Sequence, residues 1–208
     1  MTSPASGWTV VVPVKGGPDA KSRLAERLDP AARRALADAL ALDTLDAVLA
    51  ARSVACVVVV TGERRLLPGA DDGPRVVHVD DPGLGLGAAV REGIGAAPDS
   101  PCAVLLGDLP ALRPEDLDAA LADAARHERA FVPDADGTGT TLLTGRTPAA
   151  LRPHFGPGSA SAHTDAGHVA LDARPSLRRD VDTAEDLDDA TVLGVGPRTG
   201  AFLAARVV

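Results

Sequence analysis

The chain has 208 residues and a formal net charge of −8, and 45% of its residues are hydrophobic. This length suits one α/β domain with a substantial core, and the acidic balance excludes a broad nucleic-acid-binding surface, which needs a basic face. Aromatic residues make up only 2% of the chain, so Ala, Val and Leu must fill the core.

The N-terminal half alternates predicted strands with predicted helices. Continuous apolar runs predict three strands, at 8–14, 54–60 and 74–80. Residues 29–51 predict a long helix, because Asp29 is a suitable N-cap, Pro30 suits the first helical position, and Ala and Leu dominate the rest of the segment. Residues 86–97 predict a second helix.

The C-terminal half continues the alternation. Apolar runs predict strands at 102–108, 129–134 and 139–145. Helices are predicted at 113–127 and at 183–194, the latter with Thr183 as N-cap and Asp186 in the capping-box position. Strands that are apolar on both faces and alternate with helices indicate an α/β fold with a mostly parallel sheet and helices on both faces.

A single domain spanning 1–208 is expected. Residues 146–180 are richer in Gly, Ser, His and Arg than the rest, and we expect this segment to be a substrate-side insertion or lid over one end of the sheet. Ligands of open α/β sheets bind beyond the carboxyl ends of the strands, so the polar residues at the strand ends are the candidates for a site.

Two lysines, Lys15 and Lys21, come after the first predicted strand in "PVKGGPDAKSRL". Gly16 and its neighbour Gly17 allow close approach of the backbone, whose N–H groups can cradle phosphate oxygens, and lysines act on phosphates as point charges. The GxxxxGK[ST] spacing of a P-loop is absent. A phosphate site and a solvated loop therefore both remain open.

Aspartates lie at the end of the strand at 102–108 and just before the last predicted helix. Asp108 in "GDLPAL" could hold magnesium, which takes one or two carboxylates plus substrate phosphates, or could be a turn residue. Asp180 and Asp182 alternate in an extended stretch and so point the same way. Either could join Asp108 on a metal, and the alternative for Asp182 is to help cap the helix at Thr183.

Small residues and hydroxyls recur in "DGTGTTLL" at 136–143 and "FGPGSASAH" at 155–163. Such segments suit a compact anion such as a phosphorylated carboxylic acid, although each could be an ordinary turn. The five histidines form no zinc signature, and His163 and His168 are expected in a solvated loop. No nucleophile elbow occurs, so covalent catalysis is not expected.

The order of these motifs resembles that of the 2-phospho-L-lactate guanylyltransferases, which in actinobacteria act as phosphoenolpyruvate guanylyltransferases. The resemblance extends over about residues 9–194 and is carried by "PVK…AKSRL", "GDLPAL" and "FGP.S". It implies a Rossmann-like nucleotidyltransferase fold. It also implies transfer of GMP from GTP to the phosphate of an acid, with release of pyrophosphate, in the biosynthesis of the deazaflavin coenzyme F-420.

The resemblance assigns roles to particular residues. GTP would be bound by Lys15, Gly16, Lys21, Gly85 and Gly87. Magnesium would be held by Asp108 and Asp182. The phosphorylated acid would be bound by Thr141, Gly156 and Ser159. Lys15, Lys21 and Asp108 would be catalytic. Family members often carry Gly-Leu-Asn where this chain has Gly85-Leu86-Gly87, so a base or ribose contact there must come from the backbone or from elsewhere.

Two alternative functions are another small-molecule nucleotidyltransferase and a GTP-binding domain without activity. A molybdopterin-type nucleotidyltransferase commonly opens with LAGGxSxRMGxxK, which differs from the opening here, and a non-catalytic GTP-binding domain would bind without turnover. No residue distinguishes phosphoenolpyruvate from 2-phospho-L-lactate or 3-phosphoglycerate, and composition favours phosphoenolpyruvate.

The sequence also bears on location and assembly. Cys56 and Cys102 lie in apolar runs, which is typical of buried thiols in a reducing compartment. No signal peptide or membrane span is evident. We therefore expect a cytoplasmic protein without nucleic-acid or membrane partners, and a homo-oligomer stays open.

Overall fold

The apolar runs of the sequence form the strands of one sheet. The computed structural model describes residues 7–14, 24, 28–67 and 74–206. The seven strands are β1 (Trp8–Pro13), β2 (Val54–Val60), β3 (Arg75–Val79), β4 (Cys102–Leu105), β5 (Arg129–Pro133), β6 (Thr140–Gly145) and β7 (Val169–Ala170). The α-helices are α1 (Pro30–Ala50), α2 (Leu86–Ala96), α3 (Pro114–Ala124), α4 (Ser159–Asp165), α5 (Pro175–Arg178), α6 (Ala184–Leu193) and α7 (Pro197–Ala204). Short 3-10 turns lie at Arg64–Leu66 and Pro148–Ala150.

The sheet is mostly parallel, which confirms the predicted fold class. Its strand order is β3-β2-β1-β4-β6-β5-β7. Every neighbouring pair is parallel except those made by β6, which runs antiparallel to both β4 and β5. The order reverses between β1 and β4, and such a switch point is where α/β sheets bind ligands. Because β6 runs backwards, its first residues lie at the edge where β4 and β5 end.

Both faces of the sheet are buried, as the continuous apolar runs predict. Val10 and Val12 of β1 belong to the core cluster that includes residues of α1 and α3. Val11 points to the other face and belongs to the cluster that includes Ala89 and Val90 of α2. This alternation is a consequence of the two-residue period of a strand.

Side-chain caps fix the ends of the predicted helices. Asp29 accepts a hydrogen bond from the N–H of Ala32 at 2.8 Å, with Pro30 opening α1. At α6, Thr183 and Asp186 form the predicted capping box: the Asp186 carboxylate accepts from the Thr183 N–H at 2.8 Å, and the Thr183 hydroxyl accepts from the Asp186 N–H at 3.2 Å. The start of α6 is therefore fixed without the carboxylate of Asp182.

Four short elements were not predicted: α4, β7, α5 and α7. The first three lie within 146–180, and β7 adds a parallel strand beside β5 at the sheet edge. The fourth, α7, depends on a residue far away in the chain, because the buried Asp43 of α1 accepts from the N–H groups of Arg198 and Thr199 at 3.0 and 2.8 Å. This carboxylate satisfies N–H groups at the start of α7 that no helical carbonyl reaches.

The cysteines and the helices bear on two further predictions. Cys56 and Cys102 are free and buried, as predicted. Within the described residues, no helix combines the length and the apolar character that crossing a membrane requires.

Helix α2 lies unusually close to the sheet at Gly93. A Cβ atom at this position would overlap the side chain of Val11 and would lie 2.7 Å from Cγ2 of Val60. Only glycine lets the helix backbone approach these two strands so closely. The same helix carries a second glycine, Gly95, around which no atom lies within 4 Å of the Cβ position.

These two glycines provide a matched test of the packing. We expect Gly93→Ala to lower the free energy of unfolding by about 1–2 kcal/mol, because overpacking outweighs the gain in helix propensity. Gly95→Ala should raise it by up to about 1 kcal/mol, because only the propensity gain applies. Urea unfolding of both variants measures the difference, and equal shifts would contradict the close approach.

Candidate functional site

A cavity of about 630 Å³ lies at the edge of the sheet where β4 and β5 end and β6 begins. Leu106 comes directly after β4 and Asp134 directly after β5, and both line it. The remaining wall comes from Leu86 and from three stretches that are distant in sequence: 135–140, 155–159 and 179–189. The cavity is therefore found where the carboxyl-end rule for α/β sheets predicts a ligand.

Backbone contacts bring Asp108 next to the segment before α6. The Val181 N–H donates to the carbonyl of Asp108 at 3.1 Å. On its other side, Asp108 is preceded by Gly107, where a Cβ atom would lie 3.1 Å from the carbonyl oxygen of Pro13 and 3.2 Å from Cγ2 of Val14. Glycine thus allows the Asp108 loop to lie against the end of β1, which Val14 and then Lys15 follow in the sequence.

Asp180 and Asp182 both line the cavity, and Asp180 is strongly affected by its surroundings. Burial, together with the negative charges of Asp108, Asp182 and Asp134, raises the pKa of Asp180 to about 7. Carboxylates that repel one another in this way indicate a site where a cation would be favourable.

The described side chains cannot supply all the ligands of a metal ion. Among the described residues, no group of three His, Cys, Asp or Glu side chains is arranged to hold a metal ion. A divalent cation held by one or two of the carboxylates of Asp108, Asp180 and Asp182 would therefore need additional oxygen ligands from water or from a bound phosphate. Magnesium commonly binds in this way, with one or two carboxylates, so the residues present fit such an ion.

The cavity wall is acidic. Its described lining residues carry seven carboxylates and one guanidinium, that of Arg179. Arg179 is already paired with Asp186 at 3.0 Å and Asp189 at 3.1 Å. Burial opposes ionisation of Asp186, but hydrogen bonds from Thr183 and Asp182 and the charge of Arg179 lower its pKa overall. An anionic ligand would thus need positive charge from elsewhere.

The two small-residue segments predicted to bind an anion form one continuous wall. The Ala160 N–H donates to the carbonyl of Thr138 at 3.1 Å and joins them. Asp134, which is not among the predicted site residues, shapes the first segment: its carboxylate accepts from the N–H groups of Thr138 and Gly139 at 2.9 and 2.7 Å. The "DADG" turn signal in the sequence could have identified it.

The two threonines at the start of β6 point in different directions. Thr141 is 0% exposed, and its hydroxyl donates to the carbonyl of Leu177 at 2.7 Å, so its side chain does not line the cavity. Thr140 does line it. The side chain of Thr141, which the sequence suggested for the acid site, thus points away from the cavity, and that of Thr140 points into it, because neighbouring side chains of a strand face opposite ways.

The expectation that His163 and His168 are solvated is wrong. They are 0% and 3% exposed, and His163 lies in α4 with its Nδ1 2.9 Å from Oγ1 of Thr140. The Ser159 hydroxyl donates to the same Oγ1 at 3.2 Å. The rings of Phe155 and Phe131 enclose His163, with centroids at 5.4 and 5.8 Å.

The N-terminus of α2 opens toward the cavity, since Leu86 lines it. Gly85 is the N-cap residue and has φ +90°, a conformation that side-chain-bearing residues rarely adopt. Gly87 lies in the first turn. The backbone N–H groups of a first helical turn lack helical partners and can bind an anion.

The remaining predicted residues divide into two groups. Gly156 lines the cavity with φ +136°, next to Ser159. Lys15, Gly16 and Lys21 lie outside the described residues.

The buried histidines predict an acid-sensitive fold. Burial lowers the pKa of both His163 and His168 to about 4, and nearby positive charges and histidines add to this. The unfolded chain binds these protons near pH 6.5, so stability should fall as the pH drops from about 6.5 toward 4, by at most about 1.4 kcal/mol per pH unit for each histidine. Urea unfolding at several pH values in this range measures how steeply the free energy of unfolding depends on pH. His168→Gln removes one of the two titrating groups and should make this dependence shallower. An unchanged slope in that variant would contradict the assignment.

Comparisons with known proteins identify the family. A family profile described as "Guanylyl transferase CofC like" matches residues 8–206. A phosphoenolpyruvate guanylyltransferase from Streptomyces coelicolor is 50% identical, over 97% of this chain and 97% of that protein.

Solved structures agree on the fold. A protein from Desulfovibrio desulfuricans, assigned provisionally to the nucleotide-diphospho-sugar transferases, superimposes with a TM-score of 0.65 at 19% identity, over 95% of this chain and 94% of that one. A Mycobacterium tuberculosis protein in complex with manganese superimposes with a TM-score of 0.54 at 24% identity, over 89% and 98%. From the profile and the close relative together, this chain belongs to the CofC-like guanylyl transferase family of nucleotidyltransferases.

Proposed function

We propose that this protein transfers GMP from GTP to the phosphate of phosphoenolpyruvate and releases pyrophosphate, as a step of coenzyme F-420 biosynthesis. The observation that carries the proposal is the cavity itself, which is lined both by carboxylates and by the hydroxyl- and glycine-containing segments 138–140 and 155–159, called here the neutral wall. The choice of acid is supported by the 50% identical relative, which is named for phosphoenolpyruvate.

The reaction requires positioning and charge neutralisation more than acid–base chemistry. A phosphate oxygen of the acid attacks the α-phosphorus of GTP in line. The new P–O bond forms as the bond between the α-phosphorus and the bridging oxygen of the β-phosphate breaks, and pyrophosphate leaves. The nucleophile is already an anion at neutral pH, so no general base is needed. This agrees with a neutral, buried His163.

Asp108 and Asp182 would hold a magnesium ion, with Asp180 beside them. The convergence of these carboxylates supports this choice, because burial, together with the negative charges of Asp108 and Asp182, raises the pKa of Asp180. The structural neighbour in complex with manganese also favours a divalent ion. When bound, magnesium would neutralise charge on the phosphates.

GTP would lie between the lysine loop and α2. Lys15 and Lys21 would neutralise its phosphates, with the backbone at Gly16 lending N–H groups. The start of α2, with Gly85 and Gly87, would supply further N–H groups to the nucleotide. The acidic wall supports a role for the lysines, since Arg179 is already engaged by Asp186 and Asp189.

The acid would bind to the neutral wall. Thr140 replaces Thr141 as the residue that donates a hydroxyl hydrogen to the acid, and Gly156 lines the same cavity. Ser159 acts through Thr140, because its hydroxyl donates to Oγ1 of that residue. Gly156 and Ser159 belong to the segment 146–180, which would form the substrate side of a single domain.

The direct test is pyrophosphate release from GTP and magnesium with a panel of acids. We expect phosphoenolpyruvate to support turnover better than 2-phospho-L-lactate or 3-phosphoglycerate. Preference for another acid would change the substrate but keep the reaction. Tight GTP binding without release for any acid would favour a non-catalytic GTP-binding domain.

Asp108→Asn tests the metal site. The change keeps the shape of the side chain but removes its charge, so we expect kcat to fall by about 100-fold or more while the circular dichroism spectrum is unchanged. Asp99→Asn is a matched control, because Asp99 is exposed and precedes β4 at the opposite edge of the sheet. Turnover near that of the control at all magnesium concentrations would contradict a role for Asp108.

A further inference from the structure

The hydrogen bonds around His163 fix its tautomer. The backbone N–H of His154 donates to Nε2 of His163 at 2.9 Å, so Nε2 must be unprotonated. In a neutral imidazole the proton then lies on Nδ1. Nδ1 is the atom that lies 2.9 Å from Oγ1 of Thr140, so it donates to that oxygen.

The Thr140 hydroxyl therefore receives two hydrogen bonds. One comes from Nδ1 of His163 and the other from the hydroxyl of Ser159, at 3.2 Å. A hydroxyl oxygen has two acceptor lone pairs and one hydrogen to donate. With both lone pairs used, Thr140 can only donate. Its side chain lines the cavity, and the hydrogen bonds of its oxygen to described residues are these two.

We propose that His163 is a positioning residue that turns the Thr140 hydroxyl into an obligate hydrogen-bond donor toward an oxyanion of the phosphorylated acid. This inference rests on the proposed function and deepens it. His163 never touches the ligand, because it is 0% exposed beneath Thr140 and Phe155. Its effect is to prevent Thr140 from accepting, so a group that presents a hydrogen at this point of the cavity is rejected.

The arrangement makes sense in an acidic cavity. A hydroxyl that could rotate would be free to donate to one of the nearby carboxylates or to accept from water. A hydroxyl whose lone pairs are both occupied has its hydrogen directed before the ligand arrives. Such preorganisation removes part of the cost of ordering the site on binding.

Two substitutions of His163 separate its contacts. The amide of glutamine occupies the position of Nε2, so His163→Gln can keep the bond from His154 but loses the donor to Thr140. The amide of asparagine occupies the position of Nδ1, so His163→Asn keeps the donor. We expect His163→Gln to raise the KM for phosphoenolpyruvate by about 3- to 10-fold, with the KM for GTP unchanged, and His163→Asn to restore most of the loss.

A double-variant cycle tests whether His163 acts through Thr140. Thr140→Val alone should raise the KM for phosphoenolpyruvate about tenfold, and adding His163→Gln should change it no further. His168→Gln is the matched control, since this neighbouring buried ring, with its centroid 5.5 Å from that of His163, makes no bond to Thr140. It should leave both KM values unchanged.

Nitrogen NMR of the full-length protein shows directly which ring nitrogen of His163 carries the proton. We expect the His163 ring to be protonated at Nδ1, and protonation at Nε2 would overturn the inference. The same effect of His163→Gln with and without Thr140→Val would also overturn it, as would equal increases in both KM values. Failure of the proposed function can be distinguished from failure of this inference. In that case the unsubstituted protein would release no pyrophosphate with any acid, while the His163 tautomer could still be measured.

Discussion

The repulsion between carboxylates gathered at one edge of the sheet is the constraint on which the site depends. A single backbone hydrogen bond, from the Val181 N–H to the carbonyl of Asp108, holds the loop after β4 against the segment before α6. Asp180 precedes Val181, and burial together with the charges of Asp108 and Asp182 raises the pKa of Asp180 to about 7. This concentration of like charge is unfavourable for the protein alone. A bound cation would relieve this repulsion, which is the electrostatic basis of the proposed metal site.

The neutral wall differs from the carboxylate cluster, because its polar groups attract one another. Thr140, Ser159 and His163 are nearly fully buried and connected by hydrogen bonds. Buried polar groups of this kind stabilise a structure only when every one has its partner. Here the hydrogen bonds among the three side chains leave one group, the Thr140 hydroxyl hydrogen, for a ligand to complete.

Prediction from the sequence succeeded where the information is local. The apolar runs of β1 and β2, the Asp29 cap and the Thr183–Asp186 capping box depend on neighbouring residues, and the structure has them as predicted. The direction of β6 is set by pairing with β4 and β5, which its own residues do not reveal. The threonines of "GTGTT" are chemically alike, so the face of each depended on a strand register that the apolar pattern leaves undetermined. His163 looked exposed because a seven-residue helix flanked by glycines resembles a loop.

The close approach of α2 to the sheet has a consequence for how this site can change. Gly93 lets the helix rest on Val11 and Val60, so the helix cannot move inward, and moving outward would open a void between it and the sheet. Leu86, at the start of the same helix, therefore stands at a fixed distance from the cavity. A change of the site toward a larger or different nucleotide would require changes in the loop before Gly85, because helix α2 itself cannot shift. On this side, the position of the cavity wall thus depends on the absence of a side chain at Gly93, which does not itself line the cavity.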